Sequence, residues 1–249
     1  MKQVVVIALL ALFTFSTSGS AQKAASVALT GEDIPADILT DGFLEAHPDL
    51  KYRKAGMRAD DLHDPVVARH QYALAARYGD KPSQARLGEM TWNGEGAPPD
   101  HALGYLWMAL AAERGYEMFV MLKMYYWQQL TPQERKDATA QAPRMLANYG
   151  DVVAKPRQSA VMRREAHRAT GSMLGPSYAS ALYIALPNGG SIDANRFYAR
   201  EFWNADSYWK LQDRIWSGER HARIVVGDLQ NVSPIPEVKN AEPAPKDRP

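Results

Sequence analysis

Ser207-Tyr208-Trp209-Lys210 matches the Ser-x-x-Lys pattern, in which a serine opens a helix and a lysine one turn on eases its deprotonation. The pattern is only two residues deep. Ser20-x-x-Lys23 repeats it near the start of the chain, and the Ser-Asp-Asn and Lys-Thr-Gly motifs that accompany such chemistry are absent. Ser207 and Lys210 are therefore expected to be structural, Ser207 in the first turn of a capped helix and Lys210 toward solvent. The histidines, His47, His63, His70, His101, His167 and His221, form no His-Glu-x-x-His pair and no other close ligand spacing, so no metal site is expected. A Gly-x-Ser-x-Gly elbow, a phosphate loop and a dinucleotide fingerprint are also missing, so no cofactor is expected. A chain without cysteine excludes disulfides, thiolate metal sites, a Cys nucleophile and a lipid-bearing Cys anchor.

Two clusters suit binding better than catalysis. Phe197, Tyr198, Phe202, Trp203, Tyr208, Trp209 and Trp216 lie close together. They suit a stacking platform for a glycan or a peptide groove. They suit a small core equally, since each ring buries about 150–250 Å2, and core is the expectation. The helix bearing Arg163 and Arg164 offers charge to anionic lipid or cell-wall polymer, but Glu165 and Asp151 dilute it, and a solvated face is expected. Overall, 29 basic side chains stand against 28 acidic, a net charge of +1. That balance gives no electrostatic case for nucleic acid.

The elements that position these residues begin after a targeting segment. Met1-Lys2-Gln3 is short and positive, Val4 to Phe15 is apolar apart from Thr14, and Gly19-Ser20-Ala21 fits a small-x-small cleavage site. Residues 1–21 are read as a secretory signal peptide cleaved after Ala21, with a periplasmic or secreted product and no membrane span after cleavage. Export without cysteine fits a bacterial periplasm. Residues 22–47, with Gly31, Pro35 and Gly42, are read as a flexible lead-in.

A period appears over 48–151. Ala73-Leu74-Ala75-Ala76-x-x-Gly79 recurs 36 residues on as Ala109-Leu110-Ala111-Ala112-x-x-Gly115, and weakly again as Ala147-x-x-Gly150. Asp64 and Asp100 share that offset. A period of this size marks stacked helix pairs. Asp64-Pro65 reads as an N-cap with proline at N1, and Thr131-Pro132-Gln133-Glu134 as a capping box. Gly79, Gly94, Gly96, Gly115 and Gly150 are expected breaks. Pro143 is expected to kink or break the last helix. Leu87 and Gly88 should face the stack, with Gly88 at a tight helix–helix contact.

Taken together, Ala85-Arg86-Leu87-Gly88, Trp92-Asn93-Gly94-Glu95-Gly96, Pro99-Asp100, Ala102, Trp107, Ala111-Ala112 and Gly115 resemble one full Sel-one-like repeat, a helical repeat related to the tetratricopeptide repeat. The match is close for 82–116 and partial for 48–80, where the glycine turn is missing. It is weak for 117–151, which lacks both the leucine-glycine pair and the turn. The resemblance implies a short α-solenoid of stacked antiparallel helix pairs acting as a protein-interaction scaffold. Stacked pairs curve, and the concave surface presents the first helix of each pair to a protein or peptide. Arg86, Glu89, Asn93 and Tyr126 are the groove candidates.

Beyond residue 151 the pattern changes. Pro156 to Ala169 reads as a helix, Ala181 to Leu186 as a buried strand, Asn204 or Asp206 as the cap of a helix through Trp216, and Ala222 to Val226 as a second strand pairing with the first. The fold class expected is mainly α, a short solenoid followed by a small α+β domain or solenoid cap over 152–230. Residues 231–249, with prolines at 234, 236, 243, 245 and 249, form an extended Pro-rich tail. The function expected is an exported scaffold without catalytic activity. The rival readings are a cell-wall or glycan-binding module using the C-terminal rings, and an enzyme whose site no motif reveals.

Overall fold

Side-chain oxygens start most of the helices. The structure is a computed structural model that describes residues 34–170, 183–185 and 189–217. Thr40 accepts from the Phe43 amide and opens α1 (Asp41–Ala46), and α2 (Pro48–Asp61) begins with proline in its first turn. Asp64, Asp80 and Asp100 accept from the amides of Val67, Ser83 and Leu103. They open α3 (Pro65–Ala76), α4 (Lys81–Asn93) and α5 (His101–Ala111). A 3-10 turn ends at Gly115, whose φ of 76° is left-handed, and α6 (Glu117–Gln129) follows. The Thr131–Glu134 capping box opens α7 (Pro132–Tyr149), and α8 (Asp151–Thr170) starts directly after Gly150.

The first pairs pack as antiparallel hairpins, α2 with α3 and α4 with α5. Glycine permits the close approach. A Cβ on Gly88 would sit 3.2 Å from the Gly104 carbonyl, and one on Gly104 would sit 3.1 Å from the Trp92 amide. Gly56 similarly lies under the Tyr72 ring. The shared core holds Tyr72, Leu87, Met90, Trp107, Met108, Phe119 and Tyr126. The third unit differs. α7 packs against α5 through Ala102, Leu106, Leu130 and Ala138.

α8 then runs back toward the start of the chain. Its first residue, Asp151, is bound by Arg114 and Lys81, and further along Gln158 reaches Asp49 and the Ala46 carbonyl. β1 (Tyr183–Ala185) and β2 (Ser191–Asp193) form an antiparallel pair that joins the same core as Met162 of α8. α9 (Ala194–Phe197), α10 (Arg200–Trp203) and α11 (Ala205–Trp216) follow. A second core joins the two ends of the described chain: Ile34, Ile38, Phe43, Leu44 and Leu50 pack with Met162, Ile192, Phe202, Trp203, Tyr208 and Ile215. The fold is mainly α, with helix pairs and one small sheet.

Three expectations need correction. Residues 34–47 are not a flexible lead-in, because Phe43, Leu44 and Ala46 of α1 are buried in this second core. Among the described residues Tyr183 pairs with Asp193, and the expected pairing with the segment near Val225 lies outside them. Tyr183 is also 72% exposed, so the strand is not buried. Pro143 leaves α7 unbroken, its ring on the exposed side, where the carbonyl it strands can be hydrated. The signal peptide, the Ala222–Val226 strand and the Pro-rich tail lie outside the described residues.

Candidate functional site

α2, α4 and α6 share one face, and polar side chains divide it into two parts. The part at the N-terminal ends of these helices is filled by α11. Tyr208 donates its hydroxyl to Asp49 on α2, Arg53 lies 5.7 Å from the Trp216 ring, and Trp216 stacks on Phe119 of α6 at 6.0 Å. Just before α6, Tyr116 donates to Asp213 at 2.6 Å. Arg53 also pairs with Asp80 at 2.9 Å. Asp49 is buried, and among the described residues it is paired with no cation but accepts from Tyr208 and Gln158. Its carboxyl is pushed up to about 7, chiefly by burial and then by the Asp80 charge, against the Tyr208 hydrogen bond.

Below this lies a second polar layer. Lys81 is fully buried, with Nζ 2.8 Å from Glu113, 3.0 Å from Asp151 and 2.9 Å from the Leu110 carbonyl. Arg114 grips Asp151 through two bonds at 2.7 and 2.9 Å and lies 4.7 Å from the Trp209 ring. Burial would raise Asp151, but Arg114 and Lys81 hold it well below the carboxylate range. These ions join the inter-pair turns to α8 and are structural.

The other part of the face, toward the C-terminal ends of α2, α4 and α6, is open. Arg86 bonds Asp60 at 3.0 and 3.3 Å and Glu95 at 2.7 Å, with Glu89 at 3.5 Å. Burial would lower its pKa, and the Asp60 and Glu95 bonds outweigh that and raise it. Asn93 is exposed and donates to Glu95 at 3.1 Å. Arg69 reaches Thr91 and the Glu95 carbonyl. Tyr126 stacks beneath Trp92 at 4.3 Å. Its hydroxyl is raised by burial and then by the charge of Glu89.

The four groove candidates thus come together, but they do not all face outward. Arg86 and Asn93 reach solvent. Glu89 and Tyr126 are buried beneath them, because the Trp92 ring and the Arg86 network cover them, and they act as a floor. Sequence reasoning missed Asp60 and Glu95. Glu95 stands in the Gly94–Gly96 turn and was findable there. Asp60 carries no local mark, since its partner is 26 residues on.

The C-terminal rings are core rather than platform. Phe197, Phe202, Trp203, Tyr208 and Trp209 are buried, which removes them as a stacking surface for a glycan. Ser207 and Lys210 line an open cleft of about 390 Å3 with Arg200, Glu201 and Arg214. Asn204 caps the helix by accepting the Ser207 amide. Among the described residues no hydrogen bond joins the Ser207 hydroxyl to Lys210, so the cleft holds the residue types of a nucleophile and its base without their contact. Among the described residues no group of three or more His, Asp or Glu is placed to hold a metal ion, and no helix is long and apolar enough to cross a membrane. Comparison with family models, with curated proteins and with solved structures returns no match to this chain.

Proposed function

We propose that this chain is an exported helical-repeat scaffold that holds a segment of another protein on the open part of the face shared by α2, α4 and α6. The observation that carries this reading is the convergence of Asp60, Arg86, Asn93 and Glu95, from two helices and a turn, on one surface floored by Trp92 and Tyr126. The resemblance of 82–116 to a Sel-one-like repeat supports it, as does the exported character of residues 1–21. Such a surface offers a fork donor, an amide and two carboxylates, each of which already accepts bonds within the cluster and keeps lone-pair capacity for another, which suits the polar backbone and side chains of a peptide. Three carboxylates, Asp60, Glu89 and Glu95, stand against the guanidiniums of Arg86 and Arg69, so a basic residue in the partner is favoured.

The test places a photo-crosslinking residue at position 93 in living cells, with position 152 on α8 as the control, where Val152 is 86% exposed. A discrete adduct from position 93, absent from position 152 and lost on Arg86→Glu, supports the reading. Equal adducts from both positions, or none, refute it.

A further inference from the structure

The outer side of α6 carries a second surface, separate from the open groove. Its inner side is packed, with Phe119 and Tyr126 buried. On the other side Met118 is 40% exposed, Met121 57%, Met124 55% and Tyr125 52%. At 100° per residue these four fall on a single arc. Helices α2 and α4 each have a hairpin partner along their length, but α7 turns to α5 instead. Among the described residues α6 is thus left with one side bare where the repeat geometry elsewhere supplies a helix.

We infer that this arc is the contact between two copies of the chain, packed α6 against α6 about a two-fold axis near Met121. The chemistry of the arc selects the occupant. Its one formal charge is Glu117, at the N-terminal end, and Gln128 closes the other end. Lys123 points to the opposite, inner side and is half-buried. With one carboxylate per copy the arc has little to select a basic or acidic partner, while its unbranched methionines can repack against the same stripe across a two-fold axis. Antiparallel packing keeps the two Glu117 carboxylates at opposite ends of the contact, whereas parallel packing brings them together. The area agrees. The four side chains, with the stem of Glu117, expose on the order of 500 Å2 per copy, so a symmetric pair buries at most about 1,000 Å2, the lower edge of specific interfaces. The dimer is accordingly reversible and concentration-dependent.

Sedimentation velocity of the purified protein from about 1 to 100 µM should show the mass moving from monomer to dimer, and Met121→Lys should stay monomeric at every concentration with its melting temperature kept. The chain has no cysteine, so Met121→Cys gives a single thiol. Mild oxidation should link it into a covalent dimer at least tenfold faster than Val152→Cys. A monomer throughout, a dimer that persists in Met121→Lys, or equal oxidation rates at the two positions would overturn the proposal. These outcomes leave the groove of Arg86 and Asn93 untouched, so they are read independently of the scaffold function.

Discussion

Asp49 and His47 lie two residues apart, both buried, and they titrate in opposite senses. The folded chain raises Asp49 from its ordinary 3.8 to about 7, so the stability from its proton is full below about pH 4 and lost as pH rises through 7. His47 is lowered from 6.5 to about 4 by burial, against the hydrogen bonds to the Phe43 and Phe202 carbonyls. Its contribution is full above about 6.5 and lost as pH falls through 4. Between these limits folding gains a proton at Asp49 and loses one at His47, and the two slopes offset. Asp49→Asn exposes the histidine alone. Its unfolding free energy should then fall by about 1.4 kcal/mol per pH unit from pH 6.5 to 4, measured by urea titration. The same slope in variant and parent would show that the two groups are not a compensating pair. Ser207 belongs to this scale too. With no bond to Lys210, it should take no label from a penicillin-type acylating probe. Labelling that disappears in Ser207→Ala would establish a nucleophile.

At the scale of elements, two contacts set how helices meet. Gly88 and Gly104 let α4 and α5 touch backbone to backbone, and Gly88→Leu should cost about 1–3 kcal/mol by overpacking. An unchanged melting temperature would mean that these backbones have room to part. Asp151 ties the start of α8 to two buried cations. Asp151→Ala takes from buried Arg114 its carboxylate and leaves Lys81 with Glu113 alone, and should cost about 3–5 kcal/mol in thermal unfolding, while Lys155→Ala, half-exposed beside it, should change little. The helix starts were legible because their determinants are local: an aspartate or threonine oxygen three residues from the amide it accepts, and glycine where φ turns positive. The close α4–α5 contact was legible for the same reason, through Gly88. That Arg86 and Asn93 reach solvent was legible from their helical spacing relative to Leu87 and Gly88, which face the stack. What escaped was non-local. Nothing near Asp60 announces Arg86, nothing near Phe43 announces Phe202, and a short apolar run at Tyr183 looks the same whether its strand partner is near or far.

Across the whole molecule, the two ends of the described chain make one core. Phe43 stacks on His47 at 3.9 Å and meets the edges of Phe197, Phe202 and Trp203. Phe43→Ala should cost about 3–5 kcal/mol. The loss should be uneven, with chymotrypsin cutting within 183–217 well before 48–129. Simultaneous cutting of both regions would show that they unfold as one unit. This arrangement has a consequence for the timing of synthesis. His47 bonds a carbonyl 155 residues away and Asp49 a hydroxyl 159 residues away. At a ribosomal pace of about 5–20 residues per second, the early half of that core waits some 8–30 seconds for its other half. Through that interval Phe43, Leu44 and Leu50 have only α8 to pack on and lack the rings of 197–209, so the nascent chain cannot complete this core. For a chain threaded unfolded through a narrow channel, such a delay keeps it transportable, because the residues that close this core arrive long after those they cover.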